Sequence, residues 1–214
     1  MPSRPELRVV DDPSAACAHS IARRLRAALR RHGSATLAVS GGSTAPPMFA
    51  VLAGLDVSWR KVGVWQVDER VAPDGDPDRN SDQLDALPGT HHLMPVTATN
   101  LDAAARRYAR SLPHRFDVVH LGMGDDGHTA SWPPGDPVID HSEPVALSQP
   151  YQGRVRMTLT PRVVNHATGR VVLTYGESKA AALAGWLAGA SLPIARVKRT
   201  ATVVFTDASA EVGP

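Results

Sequence analysis

Four short stretches of the 214-residue chain combine residue types that can act on a small anion. The first, Ser40–Thr44, reads SGGST. Gly41 and Gly42 let the backbone turn sharply and approach a ligand, Ser43 and Thr44 carry hydroxyls, and a helical pattern begins directly afterwards. Unpaired N–H groups at a helix start beside such a turn form an anion site, most often for phosphate. The plain alternative is a tight turn with an ordinary cap. The stretch is neither G-x-G-x-x-G nor a Walker A loop, so dinucleotides and nucleoside triphosphates lose support.

The second stretch is Asp68-Glu69-Arg70. Two carboxylates and a guanidinium beyond an apolar run suit sugar hydroxyls and charge placement; a salt-bridged surface turn is the alternative. The third, Gly122–His128, packs three glycines, two aspartates and a histidine into GMGDDGH. Glycine at that density costs stability unless backbone and ligand must come close. A histidine there titrates near neutral pH, as a general base requires. A metal on Asp125, Asp126 and His128 is weighed and set aside, because no further His/Asp cluster is tied to them by spacing. The fourth feature joins Arg156, in RVRMTLT, with Lys179 at a helix start. A guanidinium fork matches phosphate oxygens and a lysine adds a point charge.

These residues need a scaffold that brings them to one edge. Thr36–Ser40, Val62–Val67, Phe116–Leu121, Arg170–Tyr175 and Thr202–Thr206 are short β-branched runs bounded by turn residues, so they read as buried strands. Ser20–His32, Ala45–Leu55, Leu101–Leu112 and Ser178–Leu187 read as helices between them. Pro46 and Pro47 fall in a first turn, where proline is tolerated, behind Ser43 and Thr44 as caps. Alternation of strand and helix predicts an α/β protein, a mostly parallel sheet with helices on both faces. Ligands of such sheets bind beyond the C-terminal strand ends, where the loops 41–44, 68–70, 122–128 and 176–179 lie. Asp74–Asn80 and Trp132–Pro137 are too short to part domains and read as surface loops, so a single domain over 1–214 is expected.

Composition narrows the classes. One cysteine, Cys17, excludes an intramolecular disulfide and a Cys-rich zinc module. With 23 basic and 21 acidic residues the net charge is +2, which allows an anionic partner without demanding one. Aromatics at 5% are too few for a base-stacking platform, and the arginines are dispersed, so no nucleic-acid partner is expected. The start, MPSRPELRVV, lacks the apolar centre of a signal peptide. The Ala/Gly-rich stretch 180–195 is too short to span a bilayer. A cytoplasmic chain with no membrane partner is expected, a monomer or weak homodimer. His91, His92, His114, His141 and His166 are read as surface or capping residues.

Taken in order, SGGST, DERVAPDGDPDRN at 68–80, GMGDDGHTAS at 122–131, RMTLT at 156–160, YGESKA at 175–180 and SLPIARV near the end resemble the 6-phosphogluconolactonases. These belong to the wider glucosamine-6-phosphate isomerase and lactonase group. Like the lactonases, the chain has Arg70 after the Asp-Glu pair and Thr129-Ala130-Ser131 after His128. The deaminases instead resemble D-E-Y and G-H-I-A-F-N-E, with a further glutamate that assists ring opening; Trp132-Pro133-Pro134-Gly135 takes that place here. Trp132-Pro133 replaces the usual Leu-Phe and is expected to alter the pocket wall. Stretches around 84–95 and 137–150 are trimmed, the second beside the site.

The resemblance implies a Rossmann-like three-layer fold and hydrolysis of 6-phospho-D-glucono-1,5-lactone to 6-phosphogluconate, in the oxidative pentose phosphate pathway. It implies no cofactor and no metal, and a sugar-phosphate lactone as partner. Gly41, Gly42, Ser43, Thr44, Arg156 and Lys179 are expected to hold the phosphate. His128 is expected to activate water and then protonate the leaving ring oxygen. Asp68 is expected to orient sugar hydroxyls or the imidazolium, Arg70 to stabilise charge or hold its loop, and Gly124, Asp126 and Gly127 to shape the substrate loop. The alternatives are a sugar-phosphate isomerase or deaminase of the same fold and a non-catalytic sugar-phosphate sensor. A sensor in a transcription regulator needs a helix-turn-helix, and the ~35 residues before the first glycine loop are too few to hold one.

Overall fold

The computed structural model describes residues 5–210; residues 1–4 of the N-terminal stretch considered above lie outside the described residues. In chain order the elements are β1 (Glu6–Val9), α1 (Pro13–His32), β2 (Ala35–Val39), α2 (Ala45–Ala53), β3 (Val62–Gln66), β4 (Asp68–Arg70), α3 (Ser81–Leu84) and β5 (Thr90–His92). There follow α4 (Leu101–Ser111), β6 (Val118–Gly122), β7 (Val145–Leu147), β8 (Arg156–Leu159), α5 (Pro161–His166), β9 (Gly169–Leu173), α6 (Ala180–Ala188) and β10 (Thr202–Thr206).

Local sequence explains the boundaries. Helix α1 starts at Pro13, about two turns before the expected Ser20, because the Asp12 side chain accepts from the Ala15 N–H at 2.9 Å and Pro13 suits the first helical position. It ends at Gly33 in the left-handed conformation, with Arg30, Arg31 and His32 in the last turn facing the negative end of the dipole. Helix α6 begins at Ala180, after a 3₁₀ turn over Glu177–Lys179.

Seven strands form one sheet in the order β1-β10-β9-β6-β2-β3-β5, every pair parallel. Helices α1 and α2 cover one face, burying Ile21, Leu25, Phe49 and Leu52 against Leu37, Val39, Val118 and Val171. Helices α4, α5 and α6 cover the other, with Tyr108, Val164, Leu183 and Trp186 against Val119, Leu121 and Val172. Each fully buried aliphatic side chain contributes about 1.5–3 kcal/mol, so the two faces together hold the strand ends rigidly. The expected three-layer α/β architecture is the observed one. Among the described residues no helix is long and apolar enough to cross a membrane.

Two features depart from the expectation. A small antiparallel sheet, β4-β8-β7, stands beside the main one and carries Asp68, Glu69 and Arg70 opposite Thr158, Met157 and Arg156. The stretch 132–137 is only partly a surface loop: Pro134, Gly135 and Pro137 are exposed, but Trp132 is fully buried and its indole N–H donates to the Leu159 carbonyl at 2.8 Å. Trp132 therefore pins the small sheet to the core and does not form a wall of the site.

The strand order reverses between β2 and β6. From there β2, β3 and β5 run to one edge and β6, β9, β10 and β1 to the other. The loops leaving β2 and β6 diverge at this point and open a crevice above the C-terminal strand ends.

Candidate active site

A cavity of about 270 Å³ occupies that crevice. It is lined by residues 40–44 after β2, Asp68 and Arg70 on β4, Asn80, residues 122–125 and 128–130 after β6, Gln152, Arg156 on β8, and Lys179 after β9. The structure thus brings together Gly41, Gly42, Ser43, Thr44, Asp68, Arg70, Gly124, His128, Arg156 and Lys179. Asp126 and Gly127 stand behind the wall. Asp126 supports His128, and the Gly127 carbonyl accepts from the Ile194 N–H at 2.9 Å, so the SLPIARV segment buttresses the loop.

The first loop is built as an open anion cradle. Thr44 is the N-cap of α2 but makes no side-chain cap bond, contrary to the capping expected of it. Pro46 and Pro47 have no N–H to offer, so the donors at this end are the N–H groups of Ser43 and Thr44. Gly42, with φ of +102°, makes the turn, and Gln83 Oε1 fixes it by accepting the Gly42 N–H at 3.0 Å. Beside it, Asn80 packs so close that a Cβ on Gly41 would lie 2.3 Å from Asn80 Oδ1.

The Asp68-Glu69-Arg70 strand divides its labour. Glu69 is fully buried and does not face the cavity. Its carboxylate accepts from Gln66 Nε2, from the N–H groups of Arg70, Asn80 and Ser81 at 2.7–2.8 Å, and pairs with Arg79 at 3.2 Å in a contact whose angle falls short of a hydrogen bond. The segment 74–80, expected as a surface loop, is thereby sealed at its end, with Arg79 and Asn80 buried. Asp68 does face the cavity and accepts from Ser131 Oγ at 2.7 Å. Burial pushes its carboxyl above the ordinary value, against the opposing Ser131 bond and the nearby Arg70 and Arg156. Arg70 Nη1 donates to Asn80 Oδ1 at 2.6 Å and to the Asp78 carbonyl at 2.8 Å, which holds that loop in place.

The β6 loop carries His128 and the carboxylate that holds it. His128 Nδ1 lies 2.5 Å from Asp126 Oδ1, and the His128 N–H donates to the same oxygen at 3.0 Å. A carboxylate only accepts, so Nδ1 carries a proton, and in the neutral ring the lone pair that a general base needs is then on Nε2. Burial raises the Asp126 carboxyl, but bonds from the His128 N–H, Tyr151 and the imidazole together hold it below its ordinary value. Asp126, and not Asp68, therefore orients the imidazole. Gly122 and Gly124 line the cavity, and Gly124 has a second, local cause besides. A Cβ on Gly124 would meet His128 Nδ1 at 2.1 Å and Asp126 Oδ1 at 2.7 Å, so the missing side chain makes room for the pair itself. Thr129 Oγ1 donates to the Gly122 carbonyl at 2.7 Å and Ala130 is held at φ of +50°, a strained conformation that persists only in a rigid surround.

Arg156 is buried on β8, and its Nε has no acceptor among the described residues. Burial, and then Arg70, pull its guanidinium below the ordinary value. A buried donor left unpaired costs about 1–3 kcal/mol, which an anionic ligand would recover. Sequence patterns did not single out Asn80, Ser131, Tyr151 or Gln152. Asn80 and Ser131 close the DERVAPDGDPDRN and GMGDDGHTAS motifs, which is the one signal that could have found them.

A family model described as glucosamine-6-phosphate isomerases/6-phosphogluconolactonase matches residues 10–206. The chain is 36% identical to the 6-phosphogluconolactonase of Mesorhizobium japonicum, covering 92% of this chain and 87% of that protein. It is 33% identical to the Synechocystis 6-phosphogluconolactonase, over 75% and 74% of the two. A 6-phosphogluconolactonase structure from Shewanella baltica superposes with a TM-score of 0.86 at 26% identity, covering 97% of this chain and all of that one. A monomeric glucosamine-6-phosphate deaminase shares the fold, with a TM-score of 0.82 at 18% identity. By sequence motif, fold and these likenesses alike, the chain belongs to the glucosamine-6-phosphate isomerase/6-phosphogluconolactonase family.

Proposed function

We propose that the chain hydrolyses 6-phospho-D-glucono-1,5-lactone to 6-phosphogluconate, with His128 as general base and without a metal. The observation that carries this reading is the Asp126–His128 pair, 2.5 Å apart, at the wall of a cavity that also gathers Arg156, Lys179 and Arg70. One side of the cavity suits a phosphate dianion and the other a water-activating base, which matches a phosphorylated lactone.

The phosphate sits among the Ser43 and Thr44 N–H groups and hydroxyls, Lys179 and Arg156. Binding energy at that remote group orients C1 of the lactone toward His128. His128 Nε2 takes a proton from water as it attacks C1. The same proton then goes to the ring oxygen as the C1–O bond breaks, so the ring opens to a carboxylic acid and a hydroxyl, and the acid releases its remaining proton to solvent to leave the carboxylate. The Asp126 carboxylate stabilises the imidazolium between the two steps. Base catalysis of this kind contributes about 10²–10⁴-fold, enough for an ester that already hydrolyses on its own. Asp68 accepts from a sugar hydroxyl, and Arg70 keeps Asn80 and the 78–80 segment against the site.

The deciding assay is the disappearance of 6-phosphogluconolactone above its spontaneous rate, with glucosamine 6-phosphate as control. Acceleration of lactone loss with no ammonia from the amino sugar is expected, and chelator should leave the rate unchanged. Ammonia release would move the chain to the deaminase branch, and loss of activity with chelator would overturn the metal-free step.

A further inference from the structure

Tyr151 takes no part in the steps above, yet it touches both halves of the site. Its hydroxyl donates to Asp126 Oδ2 at 2.7 Å, the oxygen that His128 leaves unused. Its ring stands edge-on to the imidazole, with centroids 5.5 Å apart at 65°. The Arg156 guanidinium carbon lies over the same ring, 5.0 Å from its centroid. The following residue, Gln152, accepts from Arg156 Nη2 at 2.9 Å and is held at φ of +51°. The turn itself is anchored: the Tyr151 N–H donates to the Arg154 carbonyl at 2.9 Å, and Arg154 pairs with Asp76 at 2.9 Å.

From these contacts we propose that Tyr151 is a positioning residue that fixes the Asp126–His128 pair and the Arg156 guanidinium relative to one another. This rests on the reading that His128 is the base and Arg156 an anion contact. A carboxylate bonded at one oxygen can swing about its side-chain torsion; bonded at both, it holds one plane, and so does the imidazole it carries. The phenol also draws charge from the carboxylate and moderates its pull on the imidazole proton. Burial, and then Asp126, push the Tyr151 hydroxyl up to about 12, so it stays a donor across the working range. The same ring offers its face to Arg156, and the contact limits how far that guanidinium can follow the ligand. One side chain thus sets the distance between the anion contact and the base.

The charged and titratable groups around the pair are Asp125 and Asp126 on the loop, Tyr151 and Arg156 beside them, and Asp68, Arg70 and Lys179 across the cavity. Tyr151→Phe leaves all of these and removes only the hydroxyl. Charge then concentrates on Asp126 and the imidazolium is favoured, so the ring of His128 should take up its proton at higher pH than in the unsubstituted protein. NMR of the ring in substrate-free protein reads this directly. In the lactone assay kcat should fall about 3- to 10-fold with the acid limb moved to higher pH, while KM stays within about twofold. Tyr151→Leu, which also removes the ring face, should in addition raise KM about fivefold or more. An unmoved His128 titration in Tyr151→Phe overturns the proposal, whatever the kinetics. A shifted titration in a protein that does not accelerate lactone hydrolysis leaves the Tyr151 link standing and removes the function assigned to it.

Discussion

Replacing Asp126 by Asn tests the source of the base directly. The substitution keeps shape but removes the charge that His128 Nδ1 meets at 2.5 Å. Asn Oδ1 can still accept the His128 N–H, now 3.0 Å away, so the loop has no reason to unfold. A hydrogen bond to a charged group is worth about 1.5–3 kcal/mol. The imidazolium needs that bond only after it has taken the proton, so the loss falls on the transition state. At 1.36 kcal/mol per decade, kcat should drop about 10- to 150-fold. The drop grows toward about 10⁴ if the Asn amide turns its NH₂ toward Nδ1 and forces the proton onto Nε2. Asp126 does not line the cavity, so KM should stay within about twofold of wild type. Initial rates of lactone loss, corrected for spontaneous hydrolysis, give both constants, and His128→Ala sets the floor. A kcat within twofold of wild type, or a loss confined to KM, would refute the assignment of base and orienter.

Three further outcomes are expected. Lys179→Ala and Arg156→Ala should each raise KM for the phosphorylated lactone by about 10-fold or more, with kcat less affected, because each removes a charge from the anion side; unchanged KM in both would misplace the phosphate. Glu69→Gln should cost about 1–3 kcal/mol, since it takes the charge away from three backbone donors aimed at a carboxylate and from Arg79, which keeps only exposed Asp74 and backbone carbonyls as partners, and urea unfolding would measure it. His120 is fully buried between β2 and β9, and burial holds its imidazole down at about 3, against an ordinary 6.5. Its folded value is depressed, so the stability it protects is complete above pH 6.5 and is lost as pH falls from 6.5 toward 3. The slope is at most about 1.4 kcal/mol per pH unit. Between pH 6.5 and 4.5, where carboxylates still stay ionised, His120→Leu should flatten the fall in urea midpoint; an unchanged slope would clear His120 of any part in acid sensitivity.

The five inner strands of the main sheet were legible because they are buried on both faces and read as short apolar runs with turn residues after them, whereas the exposed edge strands β1 and β5 carry no such run. Thr36–Ser40 and Val62–Val67 lie within a residue of β2 and β3. The small sheet was not legible. Its strands have three or four residues each, and β4 carries two acids and an arginine, a pattern that local propensity reads as a turn. Only pairing with β8, and burial of Glu69 under four donors, makes a strand of it.

The site divides the same way. Residue chemistry by itself pointed to one edge for Ser40–Thr44, Asp68–Arg70, Gly122–His128 and Lys179, because each follows an apolar run and parallel strands end on one edge; Arg156 joined them only through its motif, and it opens β8 in the small antiparallel sheet. It singled out His128 as the candidate base, because that histidine closes the glycine-rich loop. It could not tell which of Asp68, Asp125 and Asp126 holds the imidazole, since all three are carboxylates close to the loop or facing it. The tertiary structure decided for Asp126, because the turn that Gly124 permits folds that carboxylate back onto Nδ1. It also brought in Tyr151 from 25 residues away, through a turn with no motif of its own. Spacing along a chain is short-ranged information, and contacts across separate loops exist only once packing has fixed where the loops end.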